Sequence, residues 1–397
     1  MTTPDAVVVP AVGTAGSLTA VRSLGRRGLD VVAASEQRHP PSFSSRYCDE
    51  RVRVPDPATA LDGYRDALLA LAAREEVGAI VPVREADVSV LANHRAAFAE
   101  HVATPWPTAE GLRAVHDRTR LFAAAERAGV AVPETRLLDE IDEWDSERIV
   151  KARFAALTAD DADDVPEGHL ASPPKTMFLE PGVVPDVDAI VERMGHVPIS
   201  QSYLDGTEYC FRALCRDGDP LVTSQKRLRR GYKYSRGPSV YHEAVDLPGL
   251  KRAGRDLLAE LEYTGIASVG FIEAAGRYHL LEINPRVPAS VPVDDHAGVD
   301  YPGRYWDLAT GDVEAAAAPR EYRPGTASHL LRGELVHLHS VAREEYALAE
   351  RPSLARTALS IGVSLLVHPR FDVLRLEDPA PFGREAINAV RGLVGGN

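Results

Sequence analysis

The chain has 397 residues with 45% apolar content, enough to bury roughly two to four separate cores. Asp+Glu of 58 against Lys+Arg of 45 gives a net charge of -13, which argues against a nucleic-acid or membrane-surface protein. The opening MTTPDAVVVPAVGTAGS has no basic stretch before its short apolar run, and no apolar run reaches the ~18 residues of a membrane span, so a cytoplasmic location is expected. Cys48, Cys210 and Cys215 show no CxxC spacing and imply neither a disulfide framework nor a zinc site.

Residues 6–10 read as an apolar strand, followed by the turn Gly13-Thr14-Ala15-Gly16-Ser17, a helix through Leu18, Val21 and Leu24 to Gly28, and a second strand over 30–34. A helix over 62–76, a strand over 79–83 and a helix over 88–99 continue the alternation, which predicts a parallel sheet covered on both faces. The glycine turn does not fit GxGxxG, so a dinucleotide-dependent oxidoreductase is disfavoured. Either the helix start, capped by Ser17, holds an anion, or Gly13 and Gly16 serve only a tight turn.

Pro105-Trp106-Pro107 marks a linker, Thr108 caps a helix through Val115, and Asp117-Arg118 opens another that closes near Gly129. A strand over 149–151 ends on Lys151, and the acidic, proline-containing run 159–168 reads as a solvated loop. Strands over 209–215 and 220–226 turn at Asp217-Gly218-Asp219, and a helix over 249–262 leads to a hairpin, 267–272 and 277–283, joined by Ala274-Ala275-Gly276. Glu282, Asn284 and Arg286 recur at every second position, so a strand aims all three at one face. Hard oxygen ligands from Glu282 and Asn284 suit Mg²⁺, with Mn²⁺ as the alternative ion, and Arg286 supplies a fixed positive charge for a phosphoryl oxygen. In the C-terminal part, 315–318 reads as a linker, 335–348 and 383–393 as helices and 364–368 as a short strand. His329, His337 and His339 are taken as structural, and the segment as a cap or dimerisation element.

The run LLEINPR behind a hairpin resembles the metal-binding signature of the ATP-grasp superfamily, more narrowly its carboxylate–amine ligase branch, and GSLTAVRSLGRRGLDVVAAS resembles the opening of such ligases. The resemblance implies an α/β and α+β multidomain protein: a Rossmann-like domain over 1–108, a two-lobed ATP-grasp domain over 109–310 with lobes 109–197 and 198–310, and a C-terminal extension over 311–397. Arg118 stands where the family has a lysine, and Lys151 matches the lysine that contacts nucleotide phosphates. The segment 198–208 resembles the hinge between the lobes, where Gln201, Tyr203 and Leu204 would frame adenine and Glu208 would bind ribose. Arg84, Glu85 and Asp87, just past the strand ending at Val83, become substrate candidates.

Four departures accompany the resemblance. Arg118 replaces the lysine, and Ser202 replaces an acid of the hinge. The acidic 159–168 run stands in place of a glycine-rich phosphate loop, leaving Lys175 or the run Lys226-Arg227-Leu228-Arg229-Arg230 as substitutes. Gly270 stands where the family has its first acidic metal ligand. Glu273 is the nearest acid, at an odd offset that puts it on the other face unless the chain bends. The expected function is an ATP- and Mg²⁺-dependent ligase joining a small-molecule carboxylate to an amine through an acyl phosphate, with Lys151 and Arg286 as catalytic cations, Arg118, Gln201, Tyr203, Leu204, Glu208 and Lys226 on the nucleotide, and Glu282, Asn284 and Glu273 on the metal. No nucleic acid or membrane is expected as partner, and a homodimer is the expected assembly. The alternative is a nucleotide-binding or regulatory protein of the same fold without ligase activity.

Overall fold

The computed structural model describes residues 4–235, 237–319 and 321–394. Its fourteen strands among these residues are β1 (Ala6–Pro10), β2 (Asp30–Ser35), β3 (Glu50–Arg53), β4 (Val77–Ile80), β5 (Thr135–Leu137), β6 (Arg148–Lys151), β7 (Met177–Leu179), β8 (Ile199–Ser202), β9 (Thr207–Arg216), β10 (Asp219–Gly231), β11 (Ser239–Ala244), β12 (Gly265–Ala274), β13 (Arg277–Asn284) and β14 (Ala327–His329). They form three sheets, ordered β3-β2-β1-β4, β5-β8-β6-β7 and β13-β12-β9-β10-β11-β14.

The first sheet is parallel throughout. Its central strand AVVVP is buried along its whole length, as expected for a strand covered on both faces. The helix Ala15–Arg26 follows it, capped by Thr14, whose hydroxyl accepts from the Ser17 backbone N–H at 3.2 Å. Ser17 is therefore not the cap. A Cβ at Gly16 would lie 2.7 Å from the Pro288 carbonyl oxygen, so the small residue there lets a distant loop press against the helix start.

The other two sheets are antiparallel. Thr108 caps the helix Ala109–His116 and Asp117 caps Arg118–Arg127, and the linker is pinned by Trp106, which is buried and donates its indole N–H to the Leu91 carbonyl at 2.9 Å. The expected helix over 88–99 is two helices, Glu85–Asn93 and Arg95–Ala99. The acidic run is not a free loop. Ala162 and Val165 are buried with Leu157 beside Phe154 and Ala171, while Asp160, Asp163, Asp164 and Glu167 stay exposed. The Leu61 N–H donates to the Gly168 carbonyl at 2.8 Å, tying the run to the first layer.

The C-terminal part differs most from its sequence reading. Residues 364–368 belong mainly to the helix Leu354–Val367, not to a strand, and 315–318 overlaps the short helix Val313–Ala317. β14 was not foreseen, and it completes the large sheet beside β11. His329 and His337 are buried and bonded to Glu334 and to the Gly231 carbonyl, each at 2.8 Å, so both are structural. No helix among the described residues is long and apolar enough to cross a membrane.

Asp378 ties this part back to the first layer. Its carboxylate accepts from Arg22 Nε at 2.9 Å and from the Ser45 hydroxyl at 2.7 Å, and both members of the ion pair are 2% exposed. A buried pair contributes little over an apolar replacement, but removal of one partner strands the other charge. Asp378→Asn is therefore expected to destabilise the fold by about 3–5 kcal/mol, whereas the double change Arg22→Met, Asp378→Leu should recover most of the loss, as measured by denaturant unfolding.

Candidate functional site

The hairpin β12–β13 sets the site. In its ladder Gly270 registers with Glu282 but Phe271 with Leu280, so Leu281 is a bulge residue on β13. Beyond the bulge Glu282, Gly270, Asn284 and Ser268 share one face. The Asn284 amide donates to Glu282 Oε1 at 3.1 Å, and Arg286 Nη2 donates to Asn284 Oδ1 at 3.2 Å. The alternation seen in the sequence thus brings all three side chains together. Because the extra residue lies on β13, the odd offset on β12 stands: Glu273, opposite Tyr278 and Thr207 near the hairpin end, lies on the other face and apart from Glu282. The structure does not bring it to the other two candidate ligands.

Two more layers converge on this face. From the smaller antiparallel sheet, Lys151 at the end of β6 shares an electrostatic cluster with Arg118 and Glu282. Arg118 donates to the Ala152 and Phe154 carbonyls at 2.8 and 3.2 Å and reaches Glu282 Oε2 at 3.5 Å. Burial, with Arg118 close by, pulls the Lys151 ammonium down to about 7, and Glu282 opposes this. From the parallel sheet, Glu85 accepts from Arg286 Nε at 2.8 Å and pairs with His116 Nε2 at 2.9 Å. Burial pushes the Glu85 carboxyl up, but Arg286 and His116 outweigh it and hold the group below its ordinary range.

The hinge residues occupy the connection from β8 to β9. Gln201 is fully buried; its Nε2 donates to the Thr135 hydroxyl at 2.8 Å and its Oε1 has no protein partner. Tyr203 packs edge-to-face on Phe178 and its hydroxyl donates to the Leu348 carbonyl at 3.2 Å, so the C-terminal segment covers the hinge. Leu204 is half-buried next to it. Glu208 lines a cavity of about 430 Å³ with Arg227, Arg229, Arg230 and Ser360, at the hinge end of the large sheet.

The basic run 226–230 lies within β10, and its members part. Arg229 is exposed and 3.5 Å from Glu243, whereas Arg230 is buried and paired with Glu334 at 2.8 Å. Lys226 is buried and donates to the Ser239 and Ser290 hydroxyls at 2.9 and 3.3 Å. Lys175 is exposed. Of the charges past β4, Glu85 joins the site, while Arg84 and Asp87 bond to each other and Asp87 also to Tyr64. His116 escaped the sequence reading, although its place just before Asp117-Arg118 was a usable signal.

Among the described residues no cluster of three or more His, Cys, Asp or Glu side chains could hold a metal. Glu282 and Asn284 offer two hard oxygens on one face, and at Gly270 a Cβ would make only ordinary van der Waals contacts, with Glu282 Cγ at 3.5 Å, the Glu282 carbonyl oxygen at 3.7 Å and Leu281 Cβ at 3.8 Å. Such a sparse donor set fits Mg²⁺, which takes few protein ligands and fills its octahedron with phosphate and water.

No protein-family model matches the chain. A 97-residue stretch is 32% identical to acetyl-CoA carboxylase of Dictyostelium discoideum, covering 24% of this chain and 4% of that protein. Among solved structures, pyruvate carboxylase of Rhizobium etli superposes with a TM-score of 0.61 at 15% identity over 82% of this chain and 29% of that one. Biotin carboxylase of Campylobacter jejuni, solved as a beta-gamma-ATP complex, gives 0.59 at 12% identity over 81% of this chain and 74% of that one. L-amino acid ligase of Bacillus licheniformis gives 0.56 at 12% identity over 81% and 77%. The chain thus spans a small part of the first two proteins and about three quarters of the others. The chain shares its fold with these carboxylases and this ligase.

Proposed function

We propose that the protein is an ATP-dependent carboxylate–amine ligase. The observation that carries this reading is the convergence, from three separate sheets, of Lys151 and Arg118, of Glu282, Asn284 and Arg286, and of Glu85 on one face. Residues 1–108 are read as a Rossmann-like domain, 109–310 as the nucleotide domain with lobes meeting near 198, and 311–397 as a cap. The reaction is read as cytoplasmic and carried out by a homodimer, with exposed Leu359, Val363 and Leu366 on the helix Leu354–Val367 as the support for an assembly.

In this reading a substrate carboxylate attacks the γ-phosphorus of ATP, the bond to ADP breaks, and an amine then displaces phosphate from the acyl phosphate. Little covalent work falls to the protein, so its contribution is alignment and charge neutralisation. Gln201, Tyr203 and Leu204 frame the adenine and Glu208 binds the ribose. Lys151 and Arg118 lie on the phosphates. A Lys151 amine near neutrality when unliganded gains its full charge beside a polyphosphate, which ties cation strength to nucleotide binding. Arg286, fixed by Glu85 and Asn284, meets the oxygen of the transferred phosphoryl group. Glu282 and Asn284 would hold Mg²⁺, which supplies charge neutralisation at the phosphates when bound.

A second reading, a nucleotide-binding regulator of the same fold, is favoured by Gly270 beside Glu282 and by the acidic surface of 159–168 in place of a phosphate loop. The two readings part in a screen of carboxylate–amine pairs for ADP release. The ligase releases ADP only with a matching pair, whereas a regulator gains thermal stability with ATP and Mg²⁺ but releases none with any pair. Site variants check the metal assignment in the same assay. Glu282→Gln keeps shape and loses charge, so Mg²⁺-dependent ADP release should fall by about 100-fold or more, while Glu273→Gln, on the far face, should cost less than tenfold. Equal losses would place both carboxylates on the metal.

A further inference from the structure

The large sheet carries a second polar group on the face of Glu282, Lys226, which the resemblance sets on the nucleotide and to which the reaction described above gives no part. Lys226 registers with Cys210, Cys210 with Gly270, and Gly270 with Glu282, so the side chains of Lys226, Cys210 and Glu282 share a face. Lys226 stands three strand spacings, about 14 Å, from Glu282, and the residues between them are small. Behind Lys226 runs a continuous chain of hydrogen bonds. Its Nζ donates to Ser239 Oγ at 2.9 Å, Ser239 Oγ lies 3.0 Å from His242 Nδ1, and His242 Nε2 lies 3.2 Å from Asp372 Oδ1, which also accepts from the Ser328 hydroxyl at 2.7 Å. His242 and Asp372 are buried and Ser239 half-buried. Also bonded to the Lys226 Nζ, at 3.3 Å, is Ser290, half-buried and four residues past Arg286.

Resting on the ligase reading, we infer that Lys226 is the base of the amide-forming step, taking a proton from the attacking substrate nitrogen by way of Ser290 while Ser239, His242 and Asp372 hold its amine in place. The ammonium form of the substrate gives one N–H proton to the Lys226 lone pair. The freed nitrogen pair forms the C–N bond at the acyl carbon, the C–O bond to phosphate breaks, and phosphate leaves with that electron pair. The second N–H proton leaves with phosphate or water.

Several features suit Lys226 to this task. Its hydrogen-bond partners are hydroxyls, with no carboxylate among them to lock it as a cation. Burial lowers its ammonium below the usual lysine range and Arg212 adds to this, against the pull of Cys210, Glu208 and Asp294. Arg212 is itself neutralised by Asp294 and also donates to Ser290 Oγ at 2.5 Å, which leaves the Ser290 hydroxyl proton free to point at the lysine nitrogen. The Asp372 carboxyl, raised by burial, is brought below its ordinary range by His242 and Ser328, so it stays an anchor for the imidazole.

Two measurements test the inference. In protein labelled with ¹⁵N-histidine, His242 is expected to carry its proton on Nε2 toward Asp372 and to accept from Ser239 on Nδ1, and Lys226→Met should shift that Nδ1 signal alone. A ring protonated on Nδ1 at neutral pH reverses the chain and overturns the proposal. In turnover with an acid found by ADP release, Lys226→Met should lower amide formation by about 100-fold or more. It should leave nearly intact the hydroxamate formed from hydroxylamine, whose nitrogen is already unprotonated at neutral pH. Equal losses with both nucleophiles, or none with either, overturn the role of base. A wild-type protein that releases no ADP with any pair defeats the ligase reading and this inference together.

Discussion

The ion pair between Arg286 and Glu85 is the contact on which the arrangement of the site depends. Arg286 follows β13 by two residues and continues its alternating set, and Glu85 opens a helix at the carboxyl end of the parallel sheet, 201 residues earlier. At 2.8 Å the pair fixes the antiparallel sheet against the parallel one. The neighbouring backbone reinforces it: Val287 N–H donates to the Pro82 carbonyl at 3.0 Å, and the loop then crosses the helix start at Gly16. Because the guanidinium is planar and bonded on two sides, to Glu85 and to Asn284, its direction is set by the packing of two sheets and not by its own rotamers.

That constraint explains how charge is distributed over the face. Cations from the smaller sheet, Lys151 and Arg118, meet Glu282, whereas Arg286 meets Glu85 and Asn284, so positive and negative groups alternate across the cleft. With this pattern the resting site is nearly neutral locally, although the molecule carries a net charge of -13. On the proposed ligase reading, a polyanion would enter by displacing internal contacts instead of overcoming a field of one sign. Gly270 stands between Glu282 and Cys210 in the ladder, so no side chain separates them on this face.

What could be read from the sequence was what local geometry encodes. The hairpin, its turn and the shared face of Glu282, Asn284 and Arg286 follow from strand alternation over a few residues. The helix caps Thr108 and Asp117 follow from side chains that can reach their own backbone. The helix Leu354–Val367 was misread in part because a short apolar run such as Ser364-Leu365-Leu366-Val367 suits a strand as well as a helix when its packing partners are unknown. The acidic run 159–168 was read from its charges, while its placement is decided by two small apolar residues, Ala162 and Val165, that composition hides. The relay from Lys226 to Asp372 had no local signal at all, since His242 and Asp372 are 130 residues apart.

Arg22 and Asp378 extend this separation to almost the whole chain, 356 residues. During synthesis the parallel sheet and its first helix leave the ribosome long before the carboxylate that neutralises Arg22 exists. A buried guanidinium without its partner is costly, so the helix can seal against the C-terminal segment only after Asp378 has arrived. Closure of the first layer around Arg22 thus waits on a carboxylate made 356 positions later.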